Sequence, residues 1–250
     1  MDENSLIINL TDIAFAYPGE APVLDKLNFQ LHQEERVGLA GRNGSGKTTL
    51  LHIIMGLLRP SSGNIEIFGK TVRKEKDFRS VRQKIGLLFQ DADDQLFSPT
   101  VLEDVAFGPL NLGKSKDEAM AIAQKTLESI GLAGFEDRVT YKLSGGEKKL
   151  VSLATILAME PEVLLLDEPT TGLDETTEKR IIHILKGLDL PCIIVSHDID
   201  LLMEITHHVG YMMNGKVSID VEGVPHTHVH VHEHGRYVHE HGLKNPPFKT

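Results

Sequence analysis

The stretch "GRNGSGKTT", Gly41 to Thr49, leaves this chain few ways to fold. It lies between a short apolar run, "RVGLAG" (36–41), and the helix-like run "KTTLLHIIMGLL" (47–58), which "RPSSG" interrupts. Glycine at 41, 44 and 46 lets consecutive backbone N–H groups point at phosphate oxygens, and a helix opening at Lys47 adds the positive end of its dipole. Lys47 can neutralise β/γ-phosphate charge, and the Thr48 hydroxyl can ligate Mg²⁺. A plain glycine turn before a helix is the bland alternative. The flanking strand and helix are what a phosphate cradle requires, so Gly41, Arg42, Asn43, Gly44, Ser45, Gly46, Lys47, Thr48 and Thr49 are expected to bind a nucleotide.

The other apolar runs fit the same plan. "KIGLLFQ" (84–90), "VLLLDE" (163–168) and "CIIVSH" (192–197) read as buried strands, and the repeated strand-then-helix pattern predicts an α/β fold with a mostly parallel sheet. Residues 91–160 read instead as loop and helix, a helical subdomain inserted into a core of residues 1–90 and 161–224. The core is expected to carry an antiparallel β region at its N-terminal end. Within "SKDEAMAIAQKTLESIGL", Ser115 and Glu118 form a predicted capping box, and Met120, Ile122, Ala123, Leu127 and Ile130 fall near one face. Asn214-Gly215 in "YMMNGKVSI" predicts a hairpin. Residues 225–250 form a separate histidine-rich tail.

Composition narrows the function classes. At 250 residues, 40% hydrophobic and 25% charged, the chain is expected to fold as a soluble protein without staples. Its one cysteine, Cys192, lies in an apolar run, which excludes an internal disulfide and suits a reducing compartment. "MDENSLIINL" lacks a signal pattern, and no window approaches the roughly 20 apolar residues that span a bilayer. A net charge of −10 argues against a nucleic-acid partner. A membrane role would have to run through a protein partner.

"VLLLDEP" (163–169) supplies the acidic site that a phosphate cradle needs. Its strand lifts Asp167 to the sheet's C-terminal edge, where it can hold the Mg²⁺ shell. Glu168 can orient or deprotonate the attacking water. Alone this would be an ordinary acidic loop; its pairing with the cradle makes it a hydrolytic site. "LSGGEKK" (143–149) adds a serine and two glycines that open a further helix, a second anion-binding terminus.

With these parts together, residues 4–222 resemble the ATP-binding-cassette (ABC) ATPases, a P-loop NTPase family. The resemblance implies that Tyr17 in "FAYPG" stacks on adenine, although a turn aromatic would look the same. It makes Gln90 the metal-touching glutamine that senses the partner. Ser144, Gly145 and Gly146 become the signature contacts to phosphate, and Asp174 in "TGLD" the inter-subunit aspartate. His197 in "VSHD" becomes the switch histidine on the γ-phosphate, where a plain edge histidine is the alternative. Lys47, Gln90, Glu168 and His197 are thus the implied catalytic set, with Thr48, Gln90 and Asp167 around Mg²⁺. Glu147 departs from the family's usual glutamine, a change expected to be tolerated because backbone groups do the binding. The family also implies a head-to-tail dimer, formed with itself or with a paralogous cassette, that closes on ATP.

Three classes of role remain: the ATPase of a transporter, a soluble ABC ATPase, or a histidine-rich metal buffer. The single cassette and acidic charge disfavour the second. "FQDADDQLFSPTVLEDVAFGPLNLG" looks like the coupling region of the energy-coupling-factor and cobalt/nickel-type import ATPases, which implies integral membrane partners and a peripheral place on the cytoplasmic face. The tail bears on the cargo. In "PHTHVHVHEHGRYVHEHG" (225–242), extended chain puts His226, His228, His230, His232 and His234 on one face. A turn at His234-Gly235 would set His230 opposite His239 and His228 opposite His241, close enough to share Zn²⁺, Ni²⁺ or Co²⁺. A polar tail, a plain edge hairpin or an added tag are the other readings. Tail and subfamily together point to import of a transition-metal cation, cobalt or nickel first, with a vitamin importer of the same architecture as runner-up.

Overall fold

The computed structural model describes residues 6–218 in full and the backbone of residues 228–232 and 235–239. Two sheets organise residues 6–218. The first is antiparallel, in the order β2-β1-β4-β5, from β1 (Leu6–Ala16), β2 (Pro22–His32), β4 (Ser62–Ile67) and β5 (Lys70–Thr71). On β1 the inward set is Ile8, Leu10, Ile13 and Phe15. A strict period of two would send Ile13 outward. One extra residue on β1 between the pairs Leu10–Phe29 and Ile13–Leu27, with Asp12 at φ 52°, absorbs the mismatch as a bulge.

The second sheet runs β10-β9-β3-β8-β7-β6 and is parallel except for its edge. Its strands are β3 (Arg36–Ala40), β6 (Ile85–Leu88), β7 (Val163–Asp167), β8 (Cys192–Val195), β9 (His208–Met213) and β10 (Lys216–Ser218). The α/β architecture with a mostly parallel sheet is therefore as expected. Every residue of β6, β7 and β8 is buried because both faces are covered. Val163, Leu165, Ile193 and Val195 pack with the antiparallel sheet, whereas Leu164, Leu166, Cys192 and Ile194 pack with the helical layer. That two-sided cover is why these strands read as continuous apolar runs rather than alternating ones. At the far edge, Met213 pairs with Lys216 across Asn214 (φ 51°) and Gly215 (φ 70°), the hairpin that Asn-Gly predicts.

The first helix is shorter than its apolar run suggests. α1 covers Lys47–Ile54 rather than continuing to Leu58. Gly56 adopts φ 69°, its N–H bonds Ile53 O at 3.0 Å, and Leu57 N–H bonds His52 O at 2.9 Å, a Schellman stop. The Phe78 ring of α2 (Glu75–Arg82) lies where a Cβ on Gly56 would stand.

Three helices lie between β6 and β7: α3 (Val101–Asn111), α4 (Lys116–Ser129) and α5 (Gly145–Leu157). Ser115 and Glu118 cap α4 reciprocally, as expected. The buried stripe of α4 is Ala119, Ala123 and Leu127, continued by Ile130, while Met120 and Ile122 are only partly covered. Small residues on that stripe let α4 approach α3 and α5 closely.

α6 (Glu175–Gly187) and α7 (Ile199–Ile205) complete the helical layer, and Arg36 ties their ends to β3. Its guanidinium donates to Leu185 O at 3.0 Å, Leu188 O at 2.8 Å and Ile205 O at 2.9 Å. These are carbonyls at helix C-termini, where a cation and several donors meet the negative dipole end. Arg36→Met should leave them unpaired, costing about 2 kcal/mol and lowering the thermal midpoint by roughly 4–8 °C. A melt within a degree of the parent would show that water replaces the guanidinium.

In the tail, β11 (His228–His232) pairs antiparallel with β12 (Gly235–His239). The expected register is corrected by two residues. His228 stands opposite His239, His230 opposite Tyr237 and His232 opposite Gly235. Among the described residues, Tyr237 rather than a histidine stands opposite His230, and His228–His239 is the cross-strand histidine pair. A slip of two residues keeps each residue on its face and changes only its partner. His226, His234 and His241 lie outside the described residues.

Candidate functional site

The C-terminal edges of β3, β7 and β8 deliver the loop 41–46, the pair Asp167-Glu168 and the segment Ser196–His197 to one end of the parallel sheet. A cleft of about 380 Å³ opens there. Tyr17, Asn43, Gly44, Ser45, Gly46, Lys47, Thr48, Thr49, Gln90, Asp167 and Glu168 all line it, together with Glu20, Val23 and Val195. Residues more than 150 positions apart in sequence are brought together as the sequence pattern requires.

The loop's shape depends on glycine at its two ends. Gly46 has φ 104°, and a Cβ there would sit 2.8 Å from Leu24 and 2.9 Å from Met212. A Cβ on Gly41 would sit 2.6 Å from Met212 O. Side chains at either place would push the loop off β9 and β2 and misdirect its N–H groups. Gly41 and Arg42 do not line the cleft. They contribute carbonyls, to which Lys47 Nζ donates at 2.7 Å and 3.2 Å. Lys47 is buried, and burial pulls its ammonium below the ordinary lysine range, while the charges of Glu168 and Asp167 pull it back.

Asp167 is 2% exposed, and burial raises its carboxyl above the usual range despite a bond from the Thr48 hydroxyl. Its Oδ1 is buried and has no partner among the described residues, as does Ser45 Oγ. An orphaned carboxylate oxygen beside a threonine hydroxyl and a glutamine amide is a hard-oxygen donor set, which fits Mg²⁺. Among the described residues, no group of three or more His, Cys, Asp or Glu gathers as a separate metal site.

Glu168 is held in the left-handed region, at φ 47°, which costs a non-glycine residue about 1–3 kcal/mol. That backbone twist fixes its buried carboxylate: Oε2 accepts from Thr171 Oγ1 at 2.7 Å and lies 2.9 Å from His197 Nδ1. With an ionised carboxylate, this bond requires a proton on Nδ1. The His197 side chain is itself largely exposed and reaches the cleft only through Glu168. The Tyr17 hydroxyl is 3.3 Å from Thr49 Oγ1, and its ring meets Phe15 edge-on at 4.9 Å.

The helix end expected to be a second anion-binding terminus stands apart. Ser144, Gly145, Gly146 and Asp174 are not among the cleft's lining residues. Ser144 Oγ accepts from Glu147 N at 3.3 Å, while Glu147 Oε2 accepts from Ser144 N at 2.8 Å, so the unusual glutamate completes a capping box. It also pairs with Arg138 at 2.9 Å. The bond from Ser144 N, foremost, and one from the Ser144 side chain hold the Glu147 carboxyl below the usual range. Asp174 caps α6, accepting from Thr176 N, Thr177 N and Thr177 Oγ1, bonds that hold its carboxyl below the usual range, the Thr177 hydroxyl foremost. Thr177 in turn abuts Gly146, so the two elements share one edge.

Two residues near the cleft escaped the sequence reading. His52 on α1 interacts electrostatically with Asp167, and its imidazole is held below its usual range by burial. Lys149 on α5 is 3% exposed, and its ammonium donates to Phe89 O at 3.1 Å and Gln90 O at 2.7 Å. One signal was available: Lys149, Ser152, Leu153 and Ile156 fall on one helical stripe, a core position for a lysine.

Comparison with known proteins gives a family model, described as ABC transporter, that matches residues 24–171. The energy-coupling factor transporter ATP-binding protein EcfA of Methanothermobacter thermautotrophicus is 44% identical over 223 residues, covering 88% of this chain and 71% of that protein. The structure of cbiO1 from Clostridium perfringens, part of the ABC transporter complex cbiONQ, superposes with a TM-score of 0.76 at 36% identity, covering 86% and 88% of the two chains. The ATP-binding cassette MJ0796, as a dimer in a post-hydrolysis state bound to ADP and Pi, superposes at 0.78 and 27% identity, covering 87% of this chain and all of that one.

Proposed function

Because this chain belongs to the ABC transporter family and is an ATPase, we propose that it powers import of a transition-metal cation, cobalt or nickel first, through separate integral membrane subunits. The observation that carries the cargo is the tail: seven of the thirteen histidines fall within residues 225–242, and the backbone register sets His228 against His239. Similarity to cbiO1 and to EcfA supports an importer of this architecture. No helix among the described residues is long and apolar enough to cross a membrane, and we assign the transport path to separate membrane subunits. The exposed side chains Phe97, Phe107 and Leu110, the first two stacked edge-on at 4.6 Å, offer those partners an apolar footing. We place the ATPase peripherally on the cytoplasmic face.

The cleft suggests how the residues divide the work. Tyr17 stacks on adenine, and the loop 41–49 wraps the phosphates with Lys47 against the β/γ charge. Thr48, Gln90 and Asp167 hold Mg²⁺, which when bound neutralises phosphate charge. Glu168 orients the attacking water and takes its proton, and His197 turns toward the γ-phosphate. The lining residues approach ATP from one side only, so Ser144, Gly145, Gly146 and Asp174 are left to serve the nucleotide of a second cassette, identical or paralogous, in a head-to-tail dimer. That MJ0796 is a dimer supports the pairing of two cassettes.

The test compares Co²⁺, Ni²⁺ and Zn²⁺ binding by the full chain and by one ending at Val224. Only neutral imidazole ligates, and with an ordinary histidine pKa near 6.5 the neutral fraction falls about tenfold from pH 7.5 to pH 5.5. A two-histidine site should therefore weaken about 10²-fold, and truncation should abolish it. Equal, negligible binding by both chains moves the reading to a vitamin importer, which the energy-coupling-factor relatives favour.

A further inference from the structure

The segment that carries Gln90 is fastened to the helix of "LSGGEKK" at three places. Lys149 Nζ donates to the Phe89 and Gln90 carbonyls. Lys148 pairs with Asp93. Gln95 Nε2 donates at 2.8 Å to both Ser152 O and Thr155 Oγ1, while its Oε1 accepts from Phe89 N at 3.2 Å. Of these, the Lys149 clasp is buried and acts directly on the residue that lines the cleft. An ammonium withdrawn from water at such a cost is retained only where its donors are used.

We propose that Lys149 is a positioning residue for ATP hydrolysis: from α5 it holds the Phe89 and Gln90 carbonyls and thereby sets where the Gln90 side chain stands in the nucleotide cleft. The helix that opens at Ser144 and the glutamine of the cleft then move as one piece. Contact of Ser144 with one nucleotide is transmitted to Gln90 at the other by a rigid link rather than through a slack loop. The inference rests on the ATPase reading of the cleft and is independent of the cargo.

A second route for Lys149 exists and must be separated from the first. Asp167, Glu168 and Asp91 are near enough for its charge to act on them directly. A double-mutant cycle on the full chain distinguishes the two, with kcat and KM for ATP as readouts. Lys149→Met should lower kcat about tenfold with KM within about twofold. In a Gln90→Ala background the same substitution should change kcat by less than about twofold, because the group being positioned is gone. Equal fold-losses in both backgrounds would overturn the proposal in favour of the charge on Asp167 and Glu168, and an unchanged kcat in the single variant would overturn it outright. Should the methionine variant not fold, Lys149→Gln, which keeps an N–H donor but not the charge, separates the routes: kcat within about twofold of wild type supports positioning, and a roughly tenfold loss that persists in the Gln90→Ala background overturns it in favour of the charge. Wild-type turnover in that assay reports on the ATPase reading separately.

Discussion

Glu168→Gln should cut ATP turnover about 10³-fold while leaving ATP affinity within about threefold. The substitution is nearly isosteric, so the left-handed backbone at φ 47° is as costly for glutamine as for glutamate. An amide oxygen can still accept from Thr171 Oγ1 and from the Nδ1–H of His197, the two bonds that fix Oε2. What is lost is the negative charge and with it the ability to take a proton from water. Binding, which we assign to the loop 41–49 and Asp167, should be left intact. The cycle should therefore stop after ATP is bound, and the variant should elute from sizing chromatography with ATP as a dimer. A monomer under those conditions would count against the head-to-tail pairing. Turnover within about tenfold of the parent would count against Glu168 as the base.

The parts of this site that the sequence made legible are those whose chemistry is local. Gly41 to Thr49 announces itself because loop geometry, helix dipole and lysine all lie within nine residues. β7 does so because two-sided burial writes a continuous "VLLLD". Ser115 with Glu118, and Asn214 with Gly215, are likewise complete within a few residues. What stayed hidden depends on distant partners. Arg36 bonds carbonyls about 150 or more positions away, and Lys149 bonds carbonyls 59 and 60 positions away. Arg36 is not distinguishable from a surface cation without the fold, and Lys149 only by the stripe it shares with Leu153 and Ile156. The early stop of α1 was masked because Gly56 is followed by two leucines that prolong the apolar pattern. The tail register escaped because a two-residue slip leaves every face unchanged, so alternation alone cannot tell His230 opposite His239 from His230 opposite Tyr237.

Lys47→Met should weaken ATP binding about 10²-fold and abolish turnover, yet leave AMP binding within about twofold. The asymmetry follows from where the ammonium stands. In the described state it donates to Gly41 O and Arg42 O, neutral carbonyls, beside the carboxylates of Asp167 and Glu168. To meet a β- or γ-phosphate it exchanges neutral acceptors for anionic ones, and charged hydrogen bonds contribute about 1.5–3 kcal/mol against about 1 for neutral ones. Two such exchanges yield roughly 1–4 kcal/mol, or up to about 10³ in affinity, which brackets the expected loss. AMP presents neither phosphate and gains nothing from the exchange. Removing the cation also takes away one of the charges that draws the Asp167 carboxyl down, so that group should rise further and the variant should hold Mg²⁺–ATP less well as pH falls. Titration with fluorescent ATP and AMP analogues decides the matter. If both affinities fall together, Lys47 acts by bracing the loop through its carbonyls, and the charge it brings to the phosphates is secondary.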